Sequence, residues 1–208
     1  MKSLWSDATV KEATGGEVRG HFRASRVEID SRKIQLGDIF VAIKGERVDG
    51  HHYVADALTR GAVAAVVSHV PEGLSRGCSL VVVPDTMQAL RDMAAFARAR
   101  SKARIIGITG SVGKTSAKEM CRLAFAAYGK THATSGNYNN HIGTPLNLAN
   151  LPEDAAFGVF EMGMNHAGEI AHLTRLVQPH MALITTVEAV HLEFFDSVQG
   201  IADAKAEI

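Results

Sequence analysis

The stretch Gly110-Ser111-Val112-Gly113-Lys114-Thr115-Ser116 holds the densest chemistry in the chain. Its glycines let backbone N–H groups turn toward a common point, which suits phosphate oxygens, and a helix starting there adds its positive end. In that setting Lys114 reaches the β and γ phosphates, and the Thr115 hydroxyl ligates Mg²⁺. The first glycine of the common G-x-x-x-x-G-K-[ST] pattern would fall at 108, where this chain has Ile, and a glycine stands at 110 instead. A ligand-free Gly-rich turn is the competing reading. The Gly-Lys-Thr triplet between a strand and a helix favours a nucleoside triphosphate.

Three further clusters carry polar chemistry. Ser135 to Pro145 contains Asn137, Asn139 and Asn140 with two glycines, either a plain turn or a substrate loop whose amides donate to carboxylate or phosphate. Glu161 closes an apolar run, where a carboxylate either pairs with a lysine or holds a hard cation such as Mg²⁺. His191 follows Thr185-Thr186-Val187 and is either a solvated loop histidine or a ligand to metal or phosphate. Lys205, by its spacing, reads as an exposed helix charge.

These residues need a scaffold that brings strand ends together. Apolar runs at 38–43, 64–67, 80–83, 105–109, 157–161 and 181–187 read as strands, most of them buried on both faces. Helical periodicity spans 52–60, 87–100, 114–128 and 169–177. Alternating strands and helices imply parallel sheets, whose ligands gather at the carboxyl ends of the strands. The basic stretch Arg100-Ser101-Lys102-Ala103-Arg104 marks a boundary. The expected fold is α/β: a small amino-terminal substrate domain over 1–102, then a P-loop parallel-sheet ATPase domain over 103–208.

Composition narrows the function. Among 208 residues, 22 Lys+Arg balance 22 Asp+Glu, which argues against a nucleic-acid partner. No apolar span approaches the roughly 18 residues of a membrane helix, and the polar start lacks a secretory signal. Two separated cysteines, Cys78 and Cys121, suggest buried thiols in a reducing, cytoplasmic setting.

In this order, the motifs resemble the Mur ligases of peptidoglycan synthesis. The likeness covers nearly the whole chain. It includes Asp30-Ser31-Arg32, Gly37 to Ala42, Gly45 to His51, the Thr-Gly-x-x-Gly-Lys-Thr loop, Gly136 to Pro145 and Phe160 to Ile170. It explains the displaced glycine of the phosphate loop. Within the family, the last two stretches are similar to the branch that joins D-alanyl-D-alanine to UDP-MurNAc-tripeptide.

The resemblance implies a cytoplasmic, monomeric, three-domain ligase using ATP and Mg²⁺, with the peptide carboxylate activated as an acyl phosphate. Ser31 and Arg32 become candidate contacts to the uridine diphosphate end. Residues 110–116 hold ATP, with Lys114 on the phosphates, and Thr115 and Glu161 hold one Mg²⁺. His191 and Lys205 match positions tied to a second Mg²⁺, the lysine being carbamylated; this replaces the exposed-charge reading. Asn139 and Asn140 face the substrate carboxylate and the transferred phosphoryl group. The chain departs from the family pattern at Thr186, where Asn is common, and at Val190, where Ala is common. As a part of such an enzyme, with its ATPase domain incomplete, the chain is expected to be inactive alone. A P-loop NTPase driving conformational change and a non-catalytic UDP-sugar binding module are the alternatives.

Overall fold

The computed structural model describes residues 3–45, 47–75, 77–189 and 194–208. They divide into two units, Met1–Phe96 and Ala97–Ile208. The division falls inside a helix, a few residues before the basic stretch.

The first unit opens with β1 (Trp5–Ser6), α1 (Asp7–Thr14), β2 (Glu17–Arg19) and β3 (Arg23–Ala24). Ser6 Oγ accepts from Thr9 N at 3.2 Å and Thr9 Oγ1 accepts from Ser6 N at 2.9 Å, a reciprocal cap that starts α1. Next come β4 (Arg26–Glu28), β5 (Asp38–Val41), α2 (Val54–Thr59), β6 (Ala64–Val67), β7 (Leu80–Val82) and α3 (Thr86–Arg100). The five-stranded sheet runs β2-β7-β6-β5-β4, with β2 antiparallel to β7 and the other pairs parallel. β5 and β6 are buried throughout, as their continuous apolar runs require. The buried Asp38 that begins β5 accepts from Arg26 Nη2 at 2.6 Å, so the charge is paired.

The second unit contains β8 (Arg104–Thr109), α4 (Lys114–Ala126), β9 (Thr131–Ala133), α5 (Gly143–Ala149), β10 (Phe157–Glu161), α6 (Glu169–Val177), β11 (Met181–Ile184) and α7 (Val198–Lys205). Its sheet runs β11-β8-β10-β9, all parallel, with Glu161 in register with Ile108. Ala117, Cys121 and Phe125, one turn apart on α4, pack on Ile106, Ile108 and Val159. Phe125 also stacks on Phe157 with ring centroids 4.8 Å apart. α6 buries Ile170, Leu173 and Val177.

Two expectations change. β11 is exposed rather than buried, because among the described residues it pairs only with β8. Both cysteines are free and only half-buried. No helix among the described residues is long and apolar enough to cross a membrane.

Candidate functional site

The phosphate loop joins β8 to α4. Gly110 and Gly113 take φ values of +146° and +85°, where a side chain would be strained, so the two glycines set the turn. The segment after β11 braces the loop from its rim. Ser111 N donates to Thr186 O at 2.9 Å, Val112 N donates to Thr186 Oγ1 at 3.2 Å, and Thr185 Oγ1 donates to Val112 O at 2.6 Å. Glu188 N donates to Ser111 Oγ at 2.9 Å. Thr186, the departure from the family pattern, thus holds the phosphate loop in place. Ser116, also expected on the nucleotide, lies exposed in the first turn of α4.

Lys114 folds back onto its own loop, donating to Gly110 O at 2.7 Å. Burial lowers the pKa of its amine, and Glu161 opposes that shift. Glu161, 1% exposed at the carboxyl end of β10, accepts from Thr115 Oγ1 at 3.0 Å through one oxygen. Its other oxygen accepts from Asn139 Nδ2 at 2.7 Å. The Thr109 hydroxyl, fully buried at the end of β8, has no hydrogen-bond partner among the described residues.

Lys205 is 2% exposed, so the spacing-based reading of a solvated helix charge is wrong. Burial and repulsion from Lys114 push its pKa down to about 8. The chain after α7 helps fix that position. Glu207 accepts from Gly168 N at 2.8 Å and Ala171 N at 3.0 Å, capping α6 from a distant part of the sequence.

The asparagine loop borders a cavity of about 630 Å³ whose walls include Lys114, Asn139, Asn140, Asn165 and Glu169. Asn140 Oδ1 accepts from Gly143 N at 2.9 Å, closing the turn into α5. Both predicted asparagines therefore carry structural bonds as well as lining the cavity. Asn165 and His166 lead into α6 as the sequence suggests, both donating backbone N–H groups to Glu169.

In the first unit, Asp30 caps a short 3-10 turn at Ser31–Lys33. Ser31 is buried there. Arg32 is exposed and its guanidinium is paired with Asp30 at 2.8 Å. His51 is buried: its Nε2 accepts from Ser68 N at 2.8 Å, so Nδ1 carries the proton toward Asp49, 2.6 Å away. His191 lies outside the described residues, with Val190, Leu192 and Glu193 of its motif and Glu46 of the first unit. Among the described residues no group of three or more His, Cys, Asp or Glu could hold a metal.

Sequence reasoning missed two buried residues of this site, Lys118 and Asn147. A signal existed for Lys118, which falls on the same helical stripe as Cys121 and Phe125, where a charge needs partners. Asn147, within the apolar run of α5, gave no comparable sign.

Comparison with known proteins agrees with this architecture. Residues 23–98 match the Mur ligase family catalytic domain and residues 108–208 the Mur ligase middle domain. The chain is 40% identical over 205 residues to UDP-N-acetylmuramoyl-tripeptide–D-alanyl-D-alanine ligase of Rickettsia prowazekii, covering 99% of this chain and 45% of that protein. It is 41% identical to the Escherichia coli ligase of the same name, covering 93% and 42%. A crystal structure of MurF from Acinetobacter baumannii superposes with a TM-score of 0.85 at 36% identity, covering 98% of this chain and 46% of that one. MurF of Thermotoga maritima in complex with ADP gives 0.73 at 32% identity, covering 89% and 43%. The chain thus spans a little under half the length of the relatives it matches.

Proposed function

Because this chain belongs to the Mur ligase family, we propose that it is part of an ATP-dependent ligase joining D-alanyl-D-alanine to UDP-MurNAc-tripeptide. The reaction belongs to cytoplasmic cell-wall precursor synthesis. The observation that carries this reading is the buried Glu161, which bridges Thr115 to Asn139, a residue that lines the cavity together with Lys114.

The site fits a nucleotide triphosphate and a hard cation. Glu161 and Thr115 offer oxygen ligands, and the unpartnered Thr109 hydroxyl is a polar atom left over for a hydrated ion. One carboxylate and one hydroxyl suffice where phosphate and water complete the shell, as is usual for Mg²⁺. When bound, Mg²⁺ supplies charge neutralisation at the phosphates. Lys114 exchanges its Gly110 carbonyl for a phosphate oxygen, a charge-assisted bond stronger than the one it leaves. Backbone N–H groups in the first turn of α4, beginning at Lys114, orient the phosphates in line with the attacking carboxylate. Asn139 and Asn140, on the cavity wall, hold that carboxylate against the phosphoryl group.

The substrate carboxylate oxygen attacks the γ-phosphorus, the bond to the ADP oxygen breaks, and an acyl phosphate forms. The amine of D-alanyl-D-alanine then attacks the acyl carbon; phosphate leaves, and the amine's extra proton passes to solvent. Lys205, buried near Lys114, and His191 would hold a second cation if the neutral Lys205 amine added carbon dioxide, which gives an anionic carbamate and releases one proton. Ser31 and Arg32 of the first unit receive the uridine diphosphate end, which requires Arg32 to exchange Asp30 for the ligand.

Phosphate release by the ligase that carries this chain tests the reading. Release should require UDP-MurNAc-tripeptide and D-alanyl-D-alanine together. Steady release with neither present would instead indicate an NTPase.

A further inference from the structure

Two buried polar side chains of the second unit have no part in the chemistry above. Lys118, 1% exposed on α4, donates from Nζ to Thr134 O at 2.9 Å and to Gly136 O at 3.2 Å. Glu119 lies 3.0 Å from the same ammonium and offsets its charge. Asn147, 5% exposed on α5, uses its whole amide: Oδ1 accepts from Ser135 N at 2.8 Å, and Nδ2 donates to Tyr138 O at 3.0 Å and Gly143 O at 2.8 Å. Apart from Glu119, every one of these partners lies in, or at the edge of, the loop that carries Asn139 and Asn140.

We propose that Lys118 and Asn147 are positioning residues, a two-point clamp that fixes the asparagine loop over Glu161 before substrate arrives. The proposal rests on the reading of this loop as the carboxylate contact. Most of the loop is exposed, so few of its own side chains can anchor it. Holding a backbone residue in one conformation costs conformational entropy. Without the clamp, that cost would fall on each substrate-binding event, because the loop would order only then. Position 147 needs one acceptor and two donors in a small planar group, which among side chains of this length only an asparagine amide supplies. Aspartate would keep the acceptor but face two carbonyls with a second acceptor.

Lys118 adds a link that Asn147 lacks. It stands one turn beyond Lys114 and Thr115 on the helix that leaves the phosphate loop. The helix that positions the phosphate contacts therefore also positions the carboxylate contacts. This common support fits a reaction whose two partners must meet in line.

Three variants, Asn147→Ala, Asn147→Asp and Lys118→Met, test the clamp by two independent readouts. The first is hydrogen exchange in the purified 208-residue protein. Amides of residues 136–143 should exchange about tenfold faster or more, while those of β8 and the first turns of α4 stay near wild type. The second is kinetics in the complete ligase: kcat/KM for UDP-MurNAc-tripeptide should fall about tenfold, with ADP affinity changed less than about threefold. Wild-type exchange in the loop, or faster exchange throughout the unit, overturns the clamp; so does unchanged kcat/KM in variants whose loop exchange has risen. If Asn147→Ala does not fold, the isosteric Asn147→Asp and the Lys118→Met proteins give the same two answers. A wild-type ligase that forms no pentapeptide contradicts the functional reading instead, and the exchange data still decide the clamp.

Discussion

The phosphate loop and the asparagine loop both sit at the carboxyl end of the second sheet, but they are held by different means. The phosphate loop is shaped by its own glycines and braced mostly along its main chain by Thr185, Thr186 and Glu188. The asparagine loop is held largely by side chains that belong to neighbouring helices, Lys118 and Asn147. A loop shaped by its own backbone announces itself in sequence. A loop held from outside does not, because its anchors are dispersed and their residue types are ordinary.

The sharpest way to separate the two loops is to remove their chemistry in turn. Lys114→Ala should lower kcat by about 10³ in the complete ligase, the scale of losing one charge-stabilising group in the transition state. A fall below tenfold in single-turnover phosphoryl transfer would remove Lys114 from the reaction.

Acid should strike the asparagine loop's support before the phosphate loop. His132 on β9 donates from Nε2 to Asn147 O at 2.8 Å, and burial lowers its pKa from 6.5 to about 4. As pH falls through that window the unfolded chain takes up the proton first, so stability present above pH 6.5 is lost toward pH 4. The loss is on the order of 3 kcal/mol. Denaturant melts of the His132→Gln protein should show a flatter pH dependence than wild type over this range. Parallel curves would show that His132 does not carry the effect.

Gly163→Ala should act on one loop only. An added Cβ would meet Asn139 Oδ1 at 2.8 Å, so the amide must shift from its place against Glu161. About tenfold lower kcat with ADP affinity intact is the expected split. Equal losses in both would show that the two loops are not independently held. The smallest effect belongs to the phosphate loop's rim. Thr186→Val removes the acceptor for Val112 N, an exposed bond worth about 1 kcal/mol, and should weaken ADP binding roughly fivefold. Unchanged ADP titrations would make that bond dispensable.

Much of the architecture was legible. β10 and α6 begin and end where the apolar pattern places them, and α4 starts at Lys114 as the glycine turn demands. The strands before residue 30 escaped, because β1 to β4 are two or three residues long and too short to show a period. At the site, the positions of Lys114 and Thr115 were readable from the strand–turn–helix spacing, whereas Glu161 was readable only as a carboxylate closing an apolar run, with its partner left open. Lys205 misled, since periodicity near a helix end reports the helix and not what packs over it. Its burial depends on long-range packing, in which Glu207 ties the end of α7 to the start of α6 across some forty residues of sequence.

The most direct test of the account follows the substrate's own oxygen. UDP-MurNAc-tripeptide labelled with a heavy oxygen isotope in its reacting carboxylate is turned over with ATP and D-alanyl-D-alanine by the ligase that carries this chain, and the released phosphate is analysed by mass. An acyl phosphate requires one labelled oxygen to pass from carboxylate to phosphate in each turnover. Phosphate released without label, while pentapeptide forms, would contradict it.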